Sequence, residues 1–399
     1  MNTTNLHMMH AEDCVVFGNM DNTCSLLYSV FDFIQNKTNS LFTIDPFKLT
    51  IKYDGSPAIF AWSKFPGLNM PGVATKGLFN KTPIIYTKIQ DILSAVKFNQ
   101  MDLDLAYKLK KALNVISNLN IPDNQIWQGD ILFDDKTLKK EDDCYYFHPN
   151  TIIYKIPKDL EQKAINAKLG IVWHTKYIGT SIETATADYN IDVSVLKNNG
   201  DIFIVDYKID KHQLKPFSLS EARIIDSRFC RAQELMKFLN NDTYRNLISD
   251  NDFVSLFKIY QNYVIKQNIG LMDIKSLQNF IRVRFDKDCL LKKSDKGKQI
   301  VQEKREKILN LIEQSKDTIN LMFRAIINFQ LIKEIYIKKF NEIQTFETYL
   351  KYKNGNIMPT SQEGYVLSDI NGNAIKLVNR EEFSYANFSD NVVKGWTKK

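Results

Sequence analysis

Cysteine and histidine are scarce, with five of each in 399 residues. The cysteines (Cys14, Cys24, Cys144, Cys230, Cys289) are far apart and form no C-x-x-C pair. That spacing argues against a disulfide framework and the common zinc sites, and it fits reduced thiols in a cytosol. The histidines form no H-x-x-x-H or H-E-x-x-H pair, which argues against a histidine-based metal centre. No apolar run is long enough to span a membrane. Residues 1–14 lack the basic-then-apolar layout of an export signal. A cytoplasmic protein with no membrane partner is expected, acting as a monomer. No repeat or low-complexity segment is present. The rest is ordinary for a globular chain, at 44% hydrophobic and 25% charged residues. The length calls for two domains or one large domain with an insertion. The net charge of +7 is compatible with a polyanionic partner without demanding one.

Helical periodicity runs over residues 22–35, where Leu26, Leu27, Val30, Phe31 and Ile34 share a face, and over residues 103–119. Short apolar or alternating runs at 49–51, 58–62, 72–75, 84–86, 125–133 and 169–177 predict strands. Hairpins are expected over 145–156 and, across an Asn-Gly pair, over 191–207. At Pro216 the composition changes. The next 130 or so residues are almost free of proline and their period is helical. Ser218-Leu219-Ser220-Glu221 is a capping box that opens the first of three to five helices. The strand pattern then returns at 363–367 and 374–378, around Asn371-Gly372. This resumption predicts an α+β fold in which a helical block, residues 213–349, interrupts a β-rich core formed by 1–212 and 350–399.

The chemistry centres on residues 50–58, T-I-K-Y-D-G-S-P-A. Lys52 sits at the end of an apolar strand, directly before a D-G turn. Alone, this pattern also describes an exposed lysine beside a turn. An amine held at a pocket mouth becomes a nucleophile once its proton is lost. Transfer of a nucleotide to such an amine needs groups for the ribose, the base, a divalent metal and the phosphate charge. Candidates follow at strand ends: Lys76 before Gly77, Asp130 in Q-G-D-I-L-F, Trp173 in G-I-V-W-H-T, Glu363 in E-G-Y-V-L, and Lys376 in A-I-K-L-V.

That order resembles the covalent nucleotidyltransferase superfamily, which contains ATP-dependent DNA ligases, RNA ligases and mRNA capping enzymes. The likeness is closer to a group of ligase-like proteins encoded by large tailed phages, where similar text recurs. In this sequence it reads H-M-M-H-A-E-D at 7–13, K-Y-D-G-S-P-A at 52–58, W-Q-G-D at 127–130, F-H-P-N-T-I-I-Y at 147–154, G-I-V-W-H-T at 170–175 and K-L-V-N-R-E-E-F-S-Y-A-N-F at 376–388. It covers about residues 5–207 and 363–396. The resemblance implies a two-sheet antiparallel adenylation core with a large all-helical insertion. Only 23 residues follow Lys376, so no C-terminal OB domain is expected. It implies ATP and Mg2+, or Mn2+, as cofactors, and RNA or DNA ends as the partner, in the host cytoplasm if the gene belongs to a phage. Lys52 would form lysyl-AMP, Asp130 would contact the ribose, and Trp173 would stack on adenine. Glu363 and Asp130 would support the metal, and Lys76 and Lys376 would meet the phosphates. Ile51, Asp54 and Gly55 complete the expected nucleotide-binding set. The implied reaction is ligation of 5′-phosphate to 3′-hydroxyl ends, with RNA slightly favoured over nicked DNA. Capping-type guanylyltransfer and a degenerate, non-catalytic binder stand as alternatives.

Three departures from the superfamily pattern stand out. Lys76 replaces the usual arginine, so a bidentate fork becomes a point charge. Asp130 is one methylene shorter than the usual glutamate. The last motif has one lysine where two are usual, and Arg380 could partly stand in. Trp173 reads equally well as core, and His174 as a hydrogen-bonded strand residue rather than a catalyst. His7, His10, Glu12 and Asp13 read as a solvated or docking N-terminus. The basic run from Lys287 to Lys307 reads either as a nucleic-acid groove or as a charged helix face. Residues 280–285, alternately apolar and basic, read as amphipathic helix.

Overall fold

The computed structural model describes residues 8–36, 47–68, 70–116, 118–197, 200–205, 208–270, 272–343, 346–369 and 372–395. In chain order the strands are β1 (Met9–His10), β2 (Phe47–Lys52), β3 (Ala58–Trp62), β4 (Gly72–Ala74), β5 (Gln125–Asp134), β6 (Lys139–Glu141), β7 (Cys144–Phe147), β8 (Ile152–Lys155), β9 (Leu169–Ile178), β10 (Thr186–Asp188), β11 (Ile202–Ile204), β12 (Glu347–Lys351), β13 (Ile357–Pro359), β14 (Gly364–Asp369) and β15 (Ala374–Leu377). The helices are α1 (Cys14–Phe17), α2 (Met20–Gln35), α3 (Ile89–Lys97), α4 (Leu103–Ile116), α5 (Lys158–Asn166), α6 (Leu219–Leu239), α7 (Asp242–Ser249), α8 (Asn251–Lys266), α9 (Ile274–Leu290), α10 (Asp295–Gln314), α11 (Lys316–Phe340) and α12 (Tyr385–Phe388). The fold is mixed α+β, built on largely antiparallel sheets. Among the described residues, no helix is long and apolar enough to cross a membrane.

The described strands form three sheets, where two were expected. The first has the order β1-β15-β14-β2, the second β10-β9-β5-β3-β4 with β11 added parallel to β9, and the third β13-β12-β8-β7-β6. The third arises because β12 pairs with β8, some 190 residues earlier in the chain. The helices between them therefore end at Phe340, and residues 347–349 belong to a sheet rather than to the helical block. Other boundaries also move. Residues 84–86 form only a bridge, Tyr86 to Val73. The hairpin expected over 191–207 is absent from the described part, and its turn residues 198 and 199 lie outside it. There, Asp192 accepts the Ser194 N–H at 3.0 Å and winds Val193–Val195 into a 3-10 turn.

Sequence chemistry explains the elements that hold. In β2, Phe47, Leu49 and Ile51 point to the core and are buried, while of the other face Lys48 and Lys52 are half-buried and Thr50 is covered. Each helix from α6 to α10 opens on Ser218, Asn241, Asp250, Asp273 or Ser294, whose side-chain oxygen accepts a backbone N–H of the first turn. The capping box at Ser218 and Glu221 forms as expected, and residues 280–285 lie within α9.

The helical block is not packed apart from the rest. Tyr336 on α11 donates to the Leu27 carbonyl at 2.7 Å, and Tyr244 on α7 donates to the Val15 carbonyl at 2.7 Å. One apolar core runs from the sheets through α2 into α6 and α11.

Candidate active site

Strand β14 lies between β15 and β2, and its register sets the site. Gly364 pairs with Lys52, Val366 with Thr50 on one side and with Lys376 on the other. Gly364 is required at this point. Its φ is +155°, and a Cβ there would stand 2.2 Å from the Leu377 carbonyl oxygen. Glu363, just before it, is thereby placed over the Lys52 amine.

Facing this sheet, β5 places Asp130 opposite Ala58 of β3 and Val172 of β9. Between the two sheets is a cavity of about 300 Å³, lined by Lys52, Lys76, Asp130, His174, Val366 and Lys376 among others. That volume is at the lower end of small-ligand sites. These six side chains come from six separate stretches of sequence.

Lys52 Nζ is 2.6 Å from Glu363 Oε1, with the two side chains 30% and 10% exposed. Burial works against a charged amine, but the ion pair and hydrogen bond to Glu363, with Asp130 and Asp54 beyond, outweigh it. The Lys52 amine is held above the usual lysine range. Burial pushes the Glu363 carboxyl up to about 7, against the pull of Lys52 and with help from Asp54 and Asp130. The Lys376 amine is lowered, by burial first and then by Lys52. The amine depressed, chiefly by burial, is therefore Lys376, while Lys52 is stabilised as a cation.

The remaining expected residues divide. Ile51 is buried and borders the cavity, and Lys76 lines it from a 3-10 turn after β4. Asp54 and Gly55 do not line it. Asp54 is buried, and its carboxylate accepts the Thr151 N–H at 2.6 Å, the Ile152 N–H at 3.0 Å and the Asn150 amide at 2.8 Å. It fastens the turn after Lys52 to the entry of β8. Gly55 passes so close to β5 that a Cβ would lie 2.5 Å from Asp130 Cβ. Gly55→Ala is expected to push Asp130 out of place and to cost about 1–3 kcal/mol in stability, read by thermal denaturation.

Trp173 does not reach the cavity. It is 0% exposed and packs edge-on against Trp127 at 6.0 Å between ring centroids. Its partner in the ladder is Gly129, whose missing side chain makes room for the indole. The ladder then slips, Gln128 pairing with Thr175, so His174 is an extra residue in β9. This bulge turns His174 into the cavity, with Nε2 3.5 Å from Asp130 Oδ2 and Nδ1 2.8 Å from Thr175 Oγ1. A flat ring is therefore offered by His174, one position later than expected. Trp173→Phe should leave ligand affinity within about twofold, and His174→Ala should weaken it by about fivefold or more, measured by calorimetry.

Two further expectations are corrected. Arg380 does not stand in for a second lysine at the cavity. It is buried against Asp13 and Asn262. Of the two readings of Glu12 and Asp13, solvated or docking, the solvated one falls, since Glu12 is fully buried against Lys333. His7 lies outside the described residues.

Glu363, paired with the Lys52 amine, is not among the residues that line the cavity. Glu363 Oε2 is buried and has no hydrogen-bond partner among the described residues. Asp130 lines the cavity. No group of three or more His, Cys, Asp or Glu suited to a metal occurs among the described residues.

One family model spans residues 5–392. The chain belongs to DUF6267, a family of unknown function. No curated protein and no solved structure matches it. The DUF6267 match covers the cavity strands and the helical block alike, so both are parts of the family's common chain.

Proposed function

We propose that the protein is an ATP-dependent polynucleotide ligase that forms lysyl-AMP on Lys52, within a nucleotidyltransferase-type core. The observation that carries this reading is the Lys52–Glu363 contact at the wall of a cavity that also holds Lys76, Lys376 and Asp130. The cavity lining mixes two kinds of group. Lys52, Lys76, Asp130 and Lys376 are charged, and Gln128, Thr175 and Tyr177 are uncharged. Tyr177 donates to Gln128 Oε1 at 2.8 Å. The triphosphate would be met by the charged groups and the nucleoside by the neutral ones.

In this reading the Lys52 amine gives its proton through the existing contact to Glu363, whose burial tunes it close to neutrality. The amine attacks the α-phosphorus, an N–P bond forms, and the α–β P–O bond breaks with loss of pyrophosphate. Lys76 and Lys376 take up the charge on the phosphates. Asp130 and the free oxygen of Glu363 would hold Mg2+, which supplies further neutralisation of the triphosphate. AMP then passes to a 5′-phosphate, and a 3′-hydroxyl displaces it. The substrate is tested by transfer of label from AMP-loaded protein to single-stranded RNA ends or to nicked DNA. Faster transfer to RNA is expected. Exclusive transfer to the nick would make this a DNA ligase, and labelling by GTP instead of ATP would make it a guanylyltransferase.

A further inference from the structure

Beside the last strand of the cavity wall lies a closed set of buried charges. Lys333 on α11 sets Nζ 2.7 Å from Glu12 Oε1, and neither side chain is more than 2% exposed. Arg380 follows β15. Its Nη1 stands 3.7 Å from Glu12 Oε1 and 3.4 Å from Asp13 Oδ1, and its Nη2 donates to Asn262 Oδ1 on α8 at 2.6 Å. Asp13 Oδ2 accepts the backbone N–H of His10 at 3.2 Å. His10 in turn stands beside Lys376 in the parallel β1–β15 register. Two helices of the block, the segment before α1 and the end of β15 therefore meet at one point.

Two carboxylates face two cations, so the set is neutral overall. Buried pairs of this kind contribute little net stability, because desolvation offsets their attraction, and an apolar plug would join the helices as well. What they impose is direction. A guanidinium holds Asp13 and Asn262 along fixed lines that a lysine would not keep.

We propose that Glu12, Asp13, Lys333 and Arg380 are positioning residues that hold β15 in place and so aim Lys376 into the cavity. The helical block is then a structural part of the site rather than a detachable binding module. This rests on the proposed function only for the choice of ATP as probe.

The test is a double-mutant cycle on the full chain, with ATP binding measured by calorimetry. Glu12→Gln combined with Lys333→Met removes both charges of one pair and leaves neither ion alone. ATP affinity should fall by about tenfold in this variant and show no further fall when Lys376 is already alanine. An equal fall in both backgrounds, or none in either, overturns the proposal. Arg380→Lys keeps the charge and loses the fork, and should behave the same way if the first variant does not fold. If the natural chain binds no ATP, the functional reading fails, and a second readout still decides the positioning claim. Acylation of Lys376 by an amine reagent, read by peptide mass spectrometry, should then rise severalfold in the variant while Lys76 is unchanged. An unchanged Lys376 would contradict it.

Discussion

Lys52→Ala is expected to abolish covalent attachment of AMP while leaving the chain folded. No other amine takes over the role in this account. Lys76 and Lys376 line the same cavity, but the carboxylate of Glu363 is held against Lys52. Labelling by α-phosphate-labelled ATP should fall by at least about 10³-fold, equivalent to more than about 4 kcal/mol of barrier. The fold survives because Glu363 adapts. Lys52 is the strongest influence pulling its carboxyl down, so removing the amine lets it take up a proton and stay neutral. Lys52→Arg sharpens the test. It keeps a cation beside Glu363 but cannot lose its proton, so it should be as stable as the natural chain and equally unlabelled. Residual labelling of either variant would place the nucleophile elsewhere.

Glu363→Gln should move two reactivities in opposite directions. Glu363 is what raises the Lys52 amine against the effect of burial. With a neutral amide there, the amine's proton affinity falls and a larger fraction is unprotonated at any mildly alkaline pH. Acylation of Lys52 by a small uncharged reagent should therefore rise severalfold, with its midpoint shifted to lower pH. Attachment of AMP should instead fall by about 10²–10⁴-fold, because the proton acceptor and a metal donor are both lost. The two outcomes together separate a catalytic Glu363 from a merely structural one. Parallel loss of both would mean that the cavity had collapsed, and normal AMP attachment would remove Glu363 from the mechanism.

Much of the sheet framework was legible because strand alternation is a local property. Residues 58–62 and 169–177 match β3 and nearly all of β9, and the strands that carry Lys52 and Lys376 flank the one that follows Glu363. What sequence could not convey was register across long separations. The pairing of β12 with β8 joins residues 347–350 to 152–155, and nothing local to residue 347 announces it. Whether Trp173 stacks on a ligand or belongs to the core turned on register too. One slipped rung beside Gly129 sends the indole into the core and His174 into the cavity, and the only textual trace is a glycine opposite a tryptophan. Asp54 looked like a nucleotide ligand because it follows Lys52 so closely. Its three acceptor contacts, to a segment about a hundred residues onward, show it to be a clamp. Whether Glu12 was solvated or docked could not be read locally, because its partner Lys333 is 321 positions away.

The central claim is that Lys52 is the covalent nucleotide carrier, and it can be tested without knowing the nucleic acid. The purified chain would be incubated with ATP and Mg2+, digested, and its peptides analysed by mass spectrometry. One AMP on the peptide containing Lys52, through an acid-labile bond, is predicted. No adduct, or an adduct on Lys76, Lys376 or any other residue, would contradict it.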